Sequence, residues 1–431
     1  MESPTPSSQH LALLYRLTQA FNSTLDLEEV LNQVMDEVIA AVHAERGFTM
    51  LSEADGRLEF KAARGIDHET IEEPGFQVSR GIIERVARRG QPMLTSDAQV
   101  DDRIMMRTSV MSLGLRSVLC VPLQVKGSTI GVIYVDNRLK AGIFTQADLE
   151  LLSAIASSAA IAIENARLYQ VAIEKGRMER ELQVAYRVQA SLLPAETPEL
   201  PGWEMAARWK PAREVAGDFY DFIPTEDGRF GLVIADVTDK GMPAALFMAF
   251  TRSIIRASLD RAASPAEGIS RANQLICAES TYGFFVTLFY ALLDPPTGDL
   301  TYVNAGHNPP LLYSSNEGQL ITLTRTGIPL GIEPGSTFEQ QLVRLEPEDF
   351  LLLYTDGVID AYDHRDQEFG MPRLEQVLRD NRNAPATEII TAVDSALTAH
   401  VGTTVPYDDI TFVVLKRIRM ISSIPQRFPE S

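Results

Sequence analysis

The sequence predicts an α+β protein with two domains joined by a long helix. Three observations carry that reading. The chain has 431 residues, more than one hydrophobic core ordinarily organises. Two stretches of short apolar strands each lie among longer helical runs and are punctuated by turn residues. Between them, from about Leu168 to Pro194, apolar residues recur in a heptad frame within a charged segment. The expected division is an N-terminal segment (1–22), a sensor-sized domain (23–167), a helical linker (168–200), a second domain (201–417) and a tail (418–431).

In the first half, the Ser/Pro-rich start is expected to be disordered. Helical spacing follows from about Leu11 to Val42, with Asp26 placed as an N-cap ahead of Glu28 and Glu29. Strands are predicted at Gly47–Leu51 and Leu58–Ala63 around the Ala54-Asp55-Gly56 turn. A helix at Ile82–Arg89 is stopped by Gly90 and Pro92. The apolar runs Ser117–Val125 and Thr129–Asp136 flank Lys126-Gly127-Ser128 and read as a hairpin, and a helix from Gln146 to Tyr169 closes the domain.

In the linker, one heptad seam holds Leu168, Lys175, Leu182 and Gln189, and the other holds Val171, Met178, Ala185 and Leu192. That pattern suits a modest coiled coil, weakened at Lys175 and Gln189, or an amphipathic helix lying on the next domain. Pro194, Pro198 and Pro201 end it. Beyond them, strands are predicted at Phe230–Val237, Phe285–Leu293, Leu300–Asn304, Phe350–Thr355 and Ile410–Leu415. Helices are predicted at Met242–Ser258, Ala266–Ser280, Arg373–Asn381 and Thr387–Ala399. Sheets with helices on their outer faces are the expected arrangement.

The net charge of −19 argues against a nucleic-acid partner, which needs clustered Lys and Arg. Cys120 and Cys277, both in apolar surroundings, make neither a disulfide framework nor a zinc site. Met1–His10 has no basic start and no apolar core. The apolar run Leu151–Ile163 is interrupted by serines and reads as a buried helix. A cytoplasmic protein that does not contact a membrane is expected.

Four aspartates stand at strand ends beside glycine or turn residues. Asp218 lies in Glu214-Val-Ala-Gly-Asp-Phe-Tyr-Asp221, and Asp236 ends Gly231-Leu-Val-Ile-Ala-Asp. Asp356 ends Leu351-Leu-Leu-Tyr-Thr-Asp, and Asp408 opens Asp408-Asp409-Ile-Thr-Phe-Val-Val-Leu415. One such aspartate is ordinarily a turn former. Four carboxylates gathered at apolar strand ends call for a cation, and an all-oxygen set suits Mg²⁺ or Mn²⁺.

With their flanks, these aspartates resemble the ligand set of the SpoIIE/RsbU-type phosphatases, a bacterial branch of the PP2C (PPM) superfamily. The resemblance runs from about Leu182 to Lys416. It includes Gln189-Ala-Ser-Leu-Leu-Pro194, similar to the family's switch-helix approach, and the loops Asn304-Ala-Gly-His-Asn-Pro-Pro310 and Thr326-Gly-Ile-Pro-Leu-Gly331. It implies a PP2C-like αββα sandwich holding two Mn²⁺ or Mg²⁺ ions through Asp218, Asp236, the Val237 carbonyl, Asp356 and Asp408. Metal-activated water would then hydrolyse phosphoserine or phosphothreonine. The family's usual substrate is a phosphorylated STAS-type anti-sigma-factor antagonist. Arg213 is the candidate for holding substrate phosphate, or equally a surface ion-pair residue. His307, in a tight loop, is read as structural and is assigned no catalysis.

Two departures from the family pattern stand out. Ala216-Gly217 replaces paired glycines, and Asp239 replaces a glycine, a place where Asp tolerates the same turn. Ala216-Gly217-Asp218-Phe219 lacks the second acid of a diguanylate cyclase signature, so that activity is excluded. A binding-only sensor with a degenerate phosphatase-like domain is the alternative.

Residues from about Leu25 to Arg167 resemble a GAF domain, an α/β sandwich. The resemblance rests on Ser23-Thr-Leu-Asp-Leu-Glu-Glu-Val30, Arg116-Ser-Val-Leu-Cys-Val-Pro-Leu123, Gly131-Val-Ile-Tyr-Val-Asp-Asn137 and the closing helix. Cyclic-nucleotide-binding members carry Asn-Lys and a later Phe-x3-Asp-Glu. Here stand Asn137-Arg138 and Phe144 with Asp148-Leu149, without the Lys and Glu. A cyclic nucleotide, another small molecule, or a ligand-free dimerisation role each fit. A homodimer through this domain and the linker helix is expected.

Overall fold

The computed structural model describes residues 15–17, 19–21, 23–53, 55–65, 67, 69–71, 78–95, 116–138, 140–280, 283–404 and 406–419. The expectations for residues 1–14, for Ala54 in the first turn and for most of the tail lie outside these. Two compact units divide between Met178 and Glu179.

The first unit contains α1 (Leu27–Val42), β1 (Arg46–Ser52), β2 (Leu58–Gly65), α2 (Arg80–Arg89), β3 (Met93–Thr95), β4 (Ser117–Val125), β5 (Ser128–Asn137) and the start of α3 (Gln146–Leu192). The strands form an antiparallel sheet ordered β2-β1-β5-β4-β3. The Asp26 carboxylate caps α1 by accepting from the Glu29 N–H, and Gly90 ends α2 in the left-handed conformation. Alternation along the strands serves two apolar layers. Leu119, Val121, Ile133 and Val135 pack with Val34, Val38, Ile155 and Ala159 of α1 and α3. Val118, Cys120, Val132 and Tyr134 pack with Ile82 and Val86 of α2.

The closing helix and the helical linker are one element: α3 runs 47 residues without interruption. Gly176 is its only glycine and it holds no proline, and an isolated glycine does not stop a helix. By length and composition α3 could cross a membrane. In the first unit its apolar residues Leu152, Ile155, Ala159, Ile163 and Ala166 are instead buried against the sheet.

The second unit contains the end of α3 and β6 (Trp203–Lys210), β7 (Phe219–Pro224), β8 (Phe230–Val237), α4 (Met242–Leu259), α5 (Pro265–Glu279), β9 (Val286–Asp294), β10 (Asp299–Ala305), β11 (Leu311–Ser314), β12 (Gln319–Thr322), β13 (Gln341–Arg344), β14 (Phe350–Tyr354), α6 (Gly370–Asp380), α7 (Ala386–Val401) and β15 (Ile410–Arg417). Two antiparallel sheets, β13-β10-β9-β8-β7 and β12-β11-β14-β15-β6, make a sandwich. Leu232, Ile234, Leu351, Leu353, Val413 and Leu415 fill the space between the sheets. Their alternate neighbours face outward. Val233 and Ala235 pack with α4 and α5, and Leu352, Phe412 and Val414 pack with α6 and α7. Period-2 alternation in strands covered on both faces thus builds the four layers.

Candidate active site

The strand pairings bring the four aspartates to one end of the sandwich. Phe219 pairs with Ala235, so the next step of that register sets Asp218 opposite Asp236. On the facing sheet Tyr354 pairs with Phe412, and the Thr355 N–H continues the ladder to the Thr411 carbonyl. Asp356 leaves β14 at that point in a single 3₁₀ turn, and Asp408 stands just ahead of β15.

Asp218 is 1 % exposed, and its carboxyl lies within the field of the Asp236 carboxylate. Burial and the Asp236 charge hold Asp218 well above the usual carboxylate range. Burial, then the charges of Asp356 and Asp408, pushes Asp236 up to about 8. Asp356 is raised by burial and by Asp408. Carboxylates that raise one another in this way form a site built to be compensated by positive charge. The donors are all oxygen, and a Cβ on Gly217 would lie 2.9 Å from the Val237 carbonyl oxygen. The bare glycine therefore lets the Asp218 loop approach that fifth donor. Oxygen donors of this kind are what a hard divalent cation takes. Among the described residues no three His, Cys, Asp or Glu side chains are gathered tightly enough to hold a metal as they stand.

Several supporting residues were not singled out by the sequence reading. The Thr355 hydroxyl donates to Asp218 Oδ2 at 2.7 Å, joining the two sheets. Asp409 accepts from the Ala212 N–H at 2.7 Å and from the Gly217 N–H at 2.8 Å. It thus anchors the loop that carries Asp218. A Cβ on Gly357 would lie 2.0 Å from the Asp409 carbonyl oxygen, so the two carboxylate-bearing turns meet at a glycine. Lys240 Nζ lies 2.8 Å from Asp408 Oδ2 and donates to the Tyr407 carbonyl at 2.7 Å. The Asp408-Asp409 pair and the Thr beside Asp356 were visible signals, but their partners lie too far off in sequence to be read.

Gln189 is buried within the second unit, so at this end α3 lies on its own domain, as the amphipathic-helix alternative had it. Nearby, Tyr186 stacks on Trp209 with ring centroids 5.6 Å apart, and Trp209 Nε1 donates to the Asp218 carbonyl at 2.9 Å. Asp239 adopts φ 77°, the left-handed turn for which the family pattern carries glycine. Arg213 is exposed, at the rim of a pocket that also contains Lys240. His307 is 1 % exposed, with Nδ1 2.8 Å from the Thr287 hydroxyl, and burial lowers its pKa to about 3. It is neutral and enclosed.

Residues 226–418 match the family model described as stage II sporulation protein E, and residues 24–164 match that of the GAF domain. Asp218 falls just before the first of these segments. Protein IcfG of Synechocystis is 33% identical over 272 residues, 57% of this chain and 43% of its own length. The phosphoserine phosphatase RsbU of Bacillus subtilis is 27% identical over 243 residues, 56% of this chain and 71% of its own. The chain therefore spans less than half of the first relative and about two thirds of the second. The SiaA-PP2C domain of Pseudomonas aeruginosa superposes with a TM-score of 0.51 at 23% identity, over 56% of this chain and 98% of that one. With its first sheet layered between helices and its second unit a two-sheet sandwich on the PP2C plan, the chain joins a segment that matches the GAF-domain model to one that matches the stage II sporulation protein E model.

Proposed function

We propose that the chain is a divalent-metal-dependent serine/threonine protein phosphatase whose GAF domain regulates it through α3. The observation that carries this is the pairing of buried Asp218 with Asp236, within the charge field of Asp356 and Asp408. The similarity to a named phosphoserine phosphatase supports it. Asp218, Asp236, the Val237 carbonyl, Asp356 and Asp408 are the residues that would hold two Mn²⁺ or Mg²⁺ ions. Such ions, when bound, activate water and neutralise charge on a phosphate ester. The chain's own part is to fix the donors: Thr355 orients Asp218, and Asp409 sets the loop before it. Arg213 is the proposed phosphate-binding guanidinium. His307, neutral and enclosed, takes no part in proton transfer.

The proposed substrate is a phosphorylated STAS-type regulatory protein, an anti-sigma-factor antagonist. The proposed assembly is a homodimer through the GAF domain and α3. Leu168, Val171 and Met178 are exposed along the predicted seam, which supports pairing of that half of the helix.

Hydrolysis of p-nitrophenyl phosphate and of a phosphoserine peptide, with Mn²⁺ titrated, tests the reading against Asp356→Asn. Metal-dependent turnover lost in the variant is expected. A folded full-length chain that turns over neither substrate at any metal concentration would overturn it in favour of the binding-only alternative.

A further inference from the structure

Beside the carboxylates lies a pocket of about 460 Å³, bordered by Ala212, Arg213, Lys240, Tyr362, Asp366 and Tyr407. Its volume falls in the range of built binding clefts. Two of its walls belong to the site already described: the Ala212 N–H donates to Asp409, and Lys240 pairs with Asp408. Tyr407 immediately precedes Asp408 and is 68% exposed.

That exposed ring is held in place. Lys240 Nζ sits 4.0 Å from its centroid and also fixes the Tyr407 carbonyl. Tyr362 meets it edge-on, with centroids 5.9 Å apart at 81°. A large aromatic surface kept rigid at the mouth of a pocket gains contact area at little entropic cost. The core of the second unit does not use this ring.

We propose that this pocket seats an apolar side chain of the substrate protein flanking the phosphorylated residue, with Tyr407 as the specificity-determining contact. The inference rests on the phosphatase reading and adds a substrate preference to it. The two tyrosine rings and the Lys240 stem supply apolar walls. Asp366 in the lining disfavours an acidic side chain, and Arg213, the proposed phosphate contact, lines the same pocket. A protein substrate would thus be recognised by its phosphate and by one neighbouring side chain.

Fluorescein-labelled phosphoserine peptides with Leu, Phe, Ala or Asp beside the phosphoserine test this in the full-length chain. Binding is read by anisotropy and turnover by steady-state kinetics with Mn²⁺. Leu and Phe peptides are expected to bind most tightly. Tyr407→Ala should raise their KM and Kd roughly tenfold while kcat changes less than about twofold, and Tyr407→Phe should restore both. Unchanged Kd and KM in Tyr407→Ala, in a chain that still turns over phosphopeptide, would sink the pocket and keep the phosphatase. Loss of kcat at constant KM would likewise overturn it, making Tyr407 a support for Lys240 and Asp408. Side-chain-selective binding that falls with Tyr407→Ala, in a chain without turnover, would keep the pocket and sink the phosphatase reading.

Discussion

The Gln189 side-chain amide makes two hydrogen bonds to the backbone of Ala216: Nε2 donates to the carbonyl at 2.6 Å, and Oε1 accepts from the N–H at 3.0 Å. Both residues are buried, and Ala216 lies two positions before Asp218. One turn earlier on the same helix, Tyr186 stacks on Trp209, which itself bonds the Asp218 carbonyl. The last turns of α3 therefore hold the Asp218 loop by two independent contacts. A shift of that helix would move the loop directly.

Replacing Gln189 with Leu leaves a buried N–H and a buried carbonyl unpaired. That should destabilise the second unit by about 1–3 kcal/mol, read by urea unfolding, and speed amide exchange at Ala216. Under the proposed function, turnover of p-nitrophenyl phosphate should fall roughly tenfold, because the displaced loop carries Asp218. Wild-type exchange and turnover in the variant would show that the helix does not govern the site.

The heptad frame in the linker hid this contact. Gln189 reads as a polar flaw in an apolar seam, since its partner is a backbone amide 27 residues on, and backbone groups leave no mark in the pattern. What is local was legible. Asp26 capped its helix, Gly90 ended another, and the unbroken apolar runs within Phe230–Val237 and Phe350–Thr355 marked strands that the fold covers on both faces. In the second unit the short interior strand β11 escaped notice, and so did β6, β7, β12 and β13, which are the sheet edges. There burial is one-sided or slight, and a segment such as Gln341–Arg344 carries little periodic signal. The four aspartates were likewise visible, but the groups that orient them, Thr355 and Asp409, act across the two sheets.

Asp409 supports the candidate site through its two oxygens, each taking a backbone N–H. Asparagine in its place turns one acceptor into a donor facing an N–H, so Asp409→Asn should be as harmful as a lost ligand. A loss of at least about 1–3 kcal/mol in stability is expected. With it should come weaker Mn²⁺ binding by calorimetry, although Asp409 itself is not proposed to touch metal. Unaltered metal affinity would restrict Asp409 to a purely local role.

In the first unit the central charge contact is between Arg46 and Asp136, 7% and 0% exposed, joined through several short hydrogen bonds. Burial raises the Asp136 pKa, and the Arg46 guanidinium opposes that rise. Removing one partner strands the other charge in the core. Asp136→Ala should cost the GAF unit roughly 3–5 kcal/mol, seen as an earlier unfolding transition by calorimetry while the second unit melts as before. A pair that could be broken without moving that transition would have to be solvated in a way its burial does not suggest.

His307 makes stability depend on pH in a defined window. Its ordinary pKa of 6.5 falls to about 3 in the folded chain, chiefly through burial. Above pH 6.5 both folded and unfolded forms are neutral there, and the full stability is present. As the pH falls below 6.5 the unfolded chain takes up a proton that the folded chain refuses, so stability is lost progressively down to about pH 3. The slope attributable to this one group approaches roughly 1.4 kcal/mol per pH unit. His307→Asn keeps a polar atom toward Thr287 but cannot titrate. Its stability should start lower at pH 7.5 and fall less steeply between pH 6 and pH 4.5 in urea unfolding. Parallel curves for the two proteins would mean that His307 gains its proton within the fold, which its enclosure between Thr287 and the Asn304 turn argues against.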